Sequence, residues 1–290
     1  MKQGAPQRAS ASFESVDDVL WQAVAGRLPT LGPITLTRSG RIGPLIELAI
    51  AAGALPNVYS SVTVEPPLFY QAVRALNDGV ISGAGARDRA GVFPLSRFDP
   101  DPDAANRIVW EQWAKHAENS AVAAGLTRDL VNGLMGALGE LQDNVFEHSG
   151  RPESGVVAYG VADGAFEFVV ADAGRGVLAS LSENPEFFGL TNSGTALRVA
   201  ASDGASRHAR HTGCGQGIGQ LFRALAHDAA DLRFRSGDYA LRLWGDAQAS
   251  PGRWSWRRRP GWTGSPSRCA ARRRRLVGGL NRGAVLGKVS

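Results

Sequence analysis

The strongest constraint on the fold is an amphipathic segment near the middle of the chain. Its apolar residues recur at three- and four-residue steps, which is the spacing of one face of an α-helix. These residues are Leu130, Val131, Leu134, Met135, Leu138, Leu141 and Val145. Successive helical residues are about 100° apart, so Glu140 and Asn144 share a side of this helix that is turned away from the leucines. The segment is predicted to be a half-buried helix, and this pair alone is typical of an ordinary solvated helix face.

A strand that ends in a glycine-containing turn is predicted after this helix. Residues 166–170 have the two-residue alternation of a β-strand, and the strand runs into the sequence DAGRG at 172–176. Gly174 and Gly176 would let the backbone approach a ligand closely, and the Asp172 carboxylate could accept a hydrogen bond from an exocyclic amine. A tight turn capped by an aspartate is the alternative interpretation.

A third segment, GCGQGIG at 213–219, is rich in glycine and precedes the apolar start of a predicted helix at 221–225. Unpaired N–H groups at a helix N-terminus favour anions, and missing side chains let phosphate oxygens come close. The segment therefore suits a phosphate group, with a flexible loop as the alternative.

Taken together, the three stretches resemble the N, G1 and G2 boxes of the GHKL or Bergerat ATP-binding domain. Gyrase, a class of heat-shock chaperones, sensor histidine kinases and the mismatch-repair MutL proteins share this domain. The resemblance covers roughly residues 106–246, about half of the chain, and depends on the order and separation of all three motifs. It implies an α/β domain, specifically an α+β two-layer sandwich with helices on one face of a mixed sheet. The nucleotide would bind between the helices and a mobile lid formed by much of residues 177–212.

The resemblance also implies a role for each motif residue. Glu140 would be the general base that polarises the attacking water or hydroxyl, Asn144 would bind Mg²⁺, and Asp172 would accept the adenine amine. Mg²⁺ prefers oxygen ligands and keeps several waters, so one amide oxygen with phosphate oxygens can suffice. ATP and Mg²⁺ are therefore the expected cofactors. The glycines that would shape the adenine pocket or hold the phosphates are Gly174, Gly176, Gly213, Gly215, Gly217 and Gly219.

Within this family, the sequence ELQDNVFEHS looks most like the small bacterial serine kinases that act as anti-sigma factors. His148 would take the place of the histidine that follows their E-x-x-x-N pair, although a histidine near a helix C-terminus is also favoured by the helix dipole. A sensor histidine kinase would need an upstream phospho-accepting histidine, and His116 lacks the usual sequence after it. We expect an ATP-binding serine/threonine protein kinase or an ATP-dependent switch that acts on a protein partner. A non-catalytic scaffold that binds ATP stays open.

Residues 1–105 are predicted to be a separate small α/β region. Helices are predicted at 43–53 and 68–81, and a strand at 57–65. Residues 82–106, rich in Gly, Asp, Arg and Pro, are predicted to be a connector. Sensing, formation of a homodimer and binding of a partner all stay open for this region.

The excess positive charge of the chain lies in residues 247–290. This tail has 11 Lys or Arg and no Asp or Glu, whereas the preceding residues have 21 basic and 27 acidic side chains. Clustered arginines with three of the seven tryptophans would contact phosphates and stack on bases, so a nucleic-acid-binding regulator is the rival function. A disordered tail and coding sequence read out of frame are further interpretations. Before the tail, Gly237 and Asp238 predict a two-residue hairpin turn.

Length and composition predict a globular chain. The 290 residues are 43% hydrophobic, which is enough to fill a core, and no apolar stretch is long enough to span a membrane. Cys214 and Cys269 give neither a disulfide framework nor a metal-ligand spacing. A reducing cytoplasm is therefore the expected location, with no membrane partner.

Overall fold

The computed structural model describes residues 7–28, 33–37, 40–85, 87–101, 103–162, 165–201 and 231–244, with the backbone alone of 253–258, 268–269 and 283–288. The helices are α1 (Phe13–Val24), α2 (Gly43–Ala54), α3 (Pro56–Ser61), α4 (Pro67–Asp78), α5 (Ala105–Ala123), α6 (Arg128–His148), α7 (Gly176–Leu181) and α8 (Ser193–Ala201). The strands are β1 (Gln7–Ser10), β2 (Ile34–Thr37), β3 (Val62–Val64), β4 (Ala90–Pro94), β5 (Val156–Ala162), β6 (Ala165–Ala171), β7 (Asp231–Ser236), β8 (Tyr239–Trp244), β9 (Arg253–Arg258), β10 (Arg268–Cys269) and β11 (Gly283–Lys288). The protein is mixed α/β.

The N-terminal region contains a three-stranded parallel sheet in the order β1-β2-β3. The predicted helices at 43–53 and 68–81 correspond to α2 and α4. The predicted strand at 57–65 is instead α3 followed by the short β3. Pro56 begins α3, and proline at the first helical position has its φ already set for a helix. This local signal outweighs the strand preference of the residues that follow.

The predicted connector contains a strand of the second sheet, because β4 pairs antiparallel with β5. Two buried aromatic side chains form hydrogen bonds to the segment that precedes β4. The Trp113 indole donates to the Ser82 carbonyl at 2.8 Å, and the Tyr159 hydroxyl donates to the Gly83 carbonyl at 2.7 Å. Burial raises the pKa of Tyr159, so its hydroxyl remains a donor. Residues on both sides of position 105 belong to one hydrophobic core.

Helices cover both faces of β6, because α2 of the N-terminal region lies on the face opposite α5. On one face, Phe168 pairs across the sheet with Tyr159, whose ring meets Trp113 of α5 edge to face. On the other face, the Glu167 carboxylate accepts the backbone N–H groups of Ile42 (2.8 Å) and Gly43 (3.0 Å). The two faces alternate along a strand, so α5 and α2 lie on opposite sides. Glu167 thereby caps the N-terminus of α2, where a negative charge is favourable.

A buried cluster of four charged side chains, the ion cluster, joins the N-terminal region to β7. It consists of Asp17 of α1, Glu47 of α2, and Arg233 and Arg235 of β7. Each arginine contacts both carboxylates. The N–O distance is 3.3 Å from Arg233 to Asp17 and to Glu47, and it is also 3.3 Å from Arg235 to Glu47. Burial alone would lower the pKa of Arg233, but the adjacent carboxylates outweigh it and leave that pKa raised. The charges balance, so the cluster can be buried.

The second sheet has the order β4-β5-β6-β10-β7-β8-β9, and β11 pairs parallel with β6 and β7. The predicted hairpin turn is confirmed, because Ser236 pairs with Tyr239 and Gly237 has a φ of 57°. The tail predicted to be disordered contributes β9, β10 and β11. Its described residues are therefore strands of the sheet, paired with strands of the predicted nucleotide domain.

Candidate functional site

Helix α6 carries the first predicted motif. Thr127 caps its N-terminus by accepting the Leu130 N–H, and Leu134, Leu138, Leu141 and Val145 are buried as predicted. Glu140 is exposed and Asn144 is half-buried on the adjoining side. The Asn144 side-chain N–H donates to the main-chain carbonyl of Glu140. The amide oxygen of Asn144, the atom that a Mg²⁺ ion would use, takes no part in that bond.

Asp172 lies fully buried at the end of β6. Its Oδ1 accepts the Gly174 N–H at 2.7 Å, and Oδ2 is also buried. The structure thus places one oriented carboxyl oxygen at the C-terminal end of β6.

The DAGRG turn is docked on the C-terminal end of α6. The Arg175 backbone N–H donates to the Ser149 carbonyl at 3.0 Å, and its Nε donates to the His148 carbonyl at 2.9 Å. The Arg175 guanidinium also forms an ion pair with Glu183 beyond α7. These bonds bring the first two motifs onto neighbouring elements. The Nε2 atom of His148 lies 3.7 Å from a carboxylate oxygen of Glu147.

Both glycines of this turn have local structural reasons to be glycine. A Cβ at Gly174 would lie 2.4 Å from the Ser149 carbonyl oxygen and 2.6 Å from Asp172 Oδ1. Gly176, which begins α7, has a φ of 83°, in the left-handed region where side chains are strained. The close approach and the turn therefore depend on the absence of side chains.

Three serines that lie outside the three sequence motifs hold the backbone of this site. Ser154 accepts the Ala173 N–H at 3.1 Å, and the buried Ser236 accepts the Val177 N–H at 2.9 Å. Ser149 accepts the Arg151 N–H at 3.0 Å with its hydroxyl. In the sequence, these serines are marked by their positions alone. Ser149 and Ser154 flank the turn after α6, and Ser236 comes directly before the hairpin turn.

The described part of the predicted lid is packed. Residues 177–201 include α7 and α8, whose buried side chains Val177, Leu181, Ala196 and Leu197 join the core. The Gly194 backbone lies against the Tyr239 ring, so α8 is fixed beside the hairpin. The predicted phosphate-binding glycines Gly213, Gly215, Gly217 and Gly219, and the remainder of the lid to 212, lie outside the described residues.

Among the residues that the structure describes, no group of three or more His, Cys, Asp or Glu side chains could hold a metal ion. In the same residues, no helix combines the length and the apolar character needed to cross a membrane.

The chain matches no family model, and comparison with curated proteins and with solved structures finds no significant similarity.

Proposed function

We propose that the protein binds ATP in a Bergerat-type site formed by α6, the DAGRG turn and the glycine-rich segment 213–219. The observation that carries the proposal is the buried carboxylate of Asp172, held by the Gly174 N–H in a turn docked on α6. This helix carries Glu140 and Asn144 on one side. Two of the three motifs are therefore neighbours in space as well as in sequence.

The chemistry of these groups suits a nucleotide. The buried carboxyl group of Asp172 would accept a hydrogen bond from the exocyclic amine of adenine. The Asn144 amide oxygen would join phosphate and water oxygens around Mg²⁺. Bound Mg²⁺ would supply the charge neutralisation that phosphoryl transfer requires. The glycines of 213–219 would contribute backbone N–H groups to the phosphates.

Glu140 would decide whether bound ATP is used in catalysis. Its carboxylate is exposed one helical turn before Asn144, so it is accessible to a hydroxyl or a water. We propose phosphorylation of a serine or threonine on a protein partner. If the phosphoryl group is not transferred, ATP binding alone would act as a switch on that partner.

The first experiment is calorimetry of ATP and ADP binding to the full chain with and without Mg²⁺. Asp172→Asn keeps an oxygen that can accept the Gly174 N–H but replaces the other acceptor by a donor, so we expect at least a tenfold loss of affinity, about 1.4 kcal/mol. Asn144→Ala should remove the Mg²⁺ dependence. Asn132→Ala, an exposed residue of the same helix, is the matched control. Unchanged affinity in Asp172→Asn, or no binding to the folded chain, would refute the site.

A second experiment separates an enzyme from a scaffold. Glu140→Gln removes the base but keeps the size of the side chain, so an enzyme would lose turnover while it retains ATP binding. The rival nucleic-acid function rests on the basic tail and predicts salt-sensitive binding of DNA or RNA that is lost when the chain ends at Trp244.

A further inference from the structure

The Arg175 side chain connects two elements of the proposed nucleotide site. It leaves the DAGRG turn, and its Nε donates to the His148 carbonyl at 2.9 Å. Both Nη atoms of the same guanidinium donate to the carboxylate of Glu183, with Nη2 at 3.2 Å. One side chain thus contacts the C-terminal end of α6 and the segment that follows α7.

The bond to His148 supplies a donor to a carbonyl group at the end of a helix. The last four carbonyls of an α-helix accept no N–H from within that helix, and His148 is the final residue of α6. The positive charge of Arg175 is also favourable at a helix C-terminus. Since helix ends fray, a donor at this carbonyl holds the last turn of α6 in place.

The turn that is held in this way carries Asn144. In an α-helix, the N–H of residue 148 donates to the carbonyl of residue 144, so Asn144 and His148 belong to the same turn. If this turn frays, Asn144 loses its position on the helix. The Arg175 side chain therefore acts on the position of Asn144 through the His148 carbonyl.

Asp172 is held by bonds of its own. Its Oδ1 accepts the Gly174 N–H at 2.7 Å, and the neighbouring Ala173 N–H donates to the Ser154 hydroxyl at 3.1 Å. These two bonds do not use the Arg175 side chain. Loss of the guanidinium would thus leave the carboxyl group of Asp172 in place while it releases the last turn of α6.

We propose that Arg175 is a positioning residue of the nucleotide site. It keeps Asn144 at a fixed distance from Asp172, so that the phosphates with their Mg²⁺ and the adenine ring can be bound at the same time. The side chains of Arg175 and Glu183 are 30% and 46% exposed, so their ion pair contributes little to stability. Its effect is to orient the guanidinium, because bonds at two points fix the plane of an arginine. This role rests on the proposed function and adds to it a coupling between the two ends of the nucleotide.

The test compares two ligands that share the adenine ring. The full chain is titrated by calorimetry with adenosine, which has the exocyclic amine but no phosphate, and with Mg·ATP. In Arg175→Ala we expect adenosine to bind as it does to the wild-type chain. The ratio of the Mg·ATP affinity to the adenosine affinity should fall about tenfold, the effect of one hydrogen bond from a charged donor.

Two further variants separate positioning from a simple effect of charge. Arg151→Ala removes the same charge from the same end of α6, but the Arg151 side chain pairs with Glu153 at 3.5 Å, so the ratio should keep its wild-type value. In Glu183→Ala, direct attraction of Arg175 to phosphates would raise the ratio, whereas loss of its orientation should lower it. A ratio that rises in Glu183→Ala, or that falls as far in Arg151→Ala as in Arg175→Ala, would refute the positioning role.

Amide hydrogen exchange in the nucleotide-free chain tests the same step without a ligand. The N–H groups of residues 146–149 should exchange about tenfold faster in Arg175→Ala, whereas those of residues 131–138 should keep their wild-type rates. Unchanged exchange in the last turn, or a wild-type affinity ratio in Arg175→Ala, would overturn the positioning role alone. Absence of nucleotide binding to the folded wild-type chain would refute the proposed function with it. If Arg175→Ala does not fold, Glu183→Ala decides by the same ratio.

Discussion

Gly174 shows how one missing side chain supports both the fold and the proposed site. It lets the turn after β6 approach Ser149 at the end of α6 while its N–H orients Asp172. In Gly174→Ala, the new Cβ would lie 2.4 Å from the Ser149 carbonyl oxygen, so the backbone must shift. We expect a loss of about 1–3 kcal/mol in the free energy of unfolding, measured with denaturant, together with weaker ATP binding.

The matched control for that prediction is Gly189→Ala. Gly189 is exposed, and an added Cβ there meets nothing within 4 Å. Its effect on stability should stay within about 0.5 kcal/mol. Equal effects of the two substitutions would contradict the close approach at Gly174.

At the scale of elements, prediction from sequence succeeded where a periodic pattern was long. The helix α6 and the strand β6 were predicted from their apolar spacing, because burial of one face imposes that spacing on the sequence. The strand β4 was missed, since it is short and its pattern is interrupted by Gly91 and Pro94. The capping of α2 by Glu167 could not be predicted, because the two partners lie 124 and 125 residues apart and nothing local marks the pairing.

Helix α6 also contains glycines that its stability does not need. Gly133 and Gly136 are exposed, and a Cβ at either position meets nothing within 4 Å. Alanine is the better helix former, so Gly133→Ala and Gly136→Ala should each raise the free energy of unfolding by about 0.5–1 kcal/mol in urea denaturation. Gly160→Ala in β5 should have the opposite sign, because its Cβ would lie 2.5 Å from Ile42 Cγ2. A loss of stability at positions 133 and 136 would contradict the open space around these two glycines.

At the scale of the whole molecule, the ion cluster is one of the links between the N-terminal region and the second sheet. Asp17→Ala leaves an uncompensated positive charge among buried groups, so we expect a loss of about 3–5 kcal/mol in the free energy of unfolding. The double variant Asp17→Ala with Arg235→Met restores the balance of charge and should recover much of that loss. Glu65→Ala, which removes the exposed pair with Arg8, should change stability by no more than about 1 kcal/mol. Additive effects of Asp17→Ala and Arg235→Met would contradict a coupled cluster.

The ion cluster also imposes an order of events on a chain that is synthesised from its N-terminus. Asp17 and Arg235 are separated by 218 residues, and Glu47 and Arg235 by 188. At about 5–20 residues per second, both carboxylates emerge from the ribosome roughly 10–40 s before their arginine partners. During that interval they stay hydrated, and burying them would be unfavourable. We therefore expect α1 and α2 to dock only after β7 has been translated, because docking earlier would bury two unpaired carboxylates.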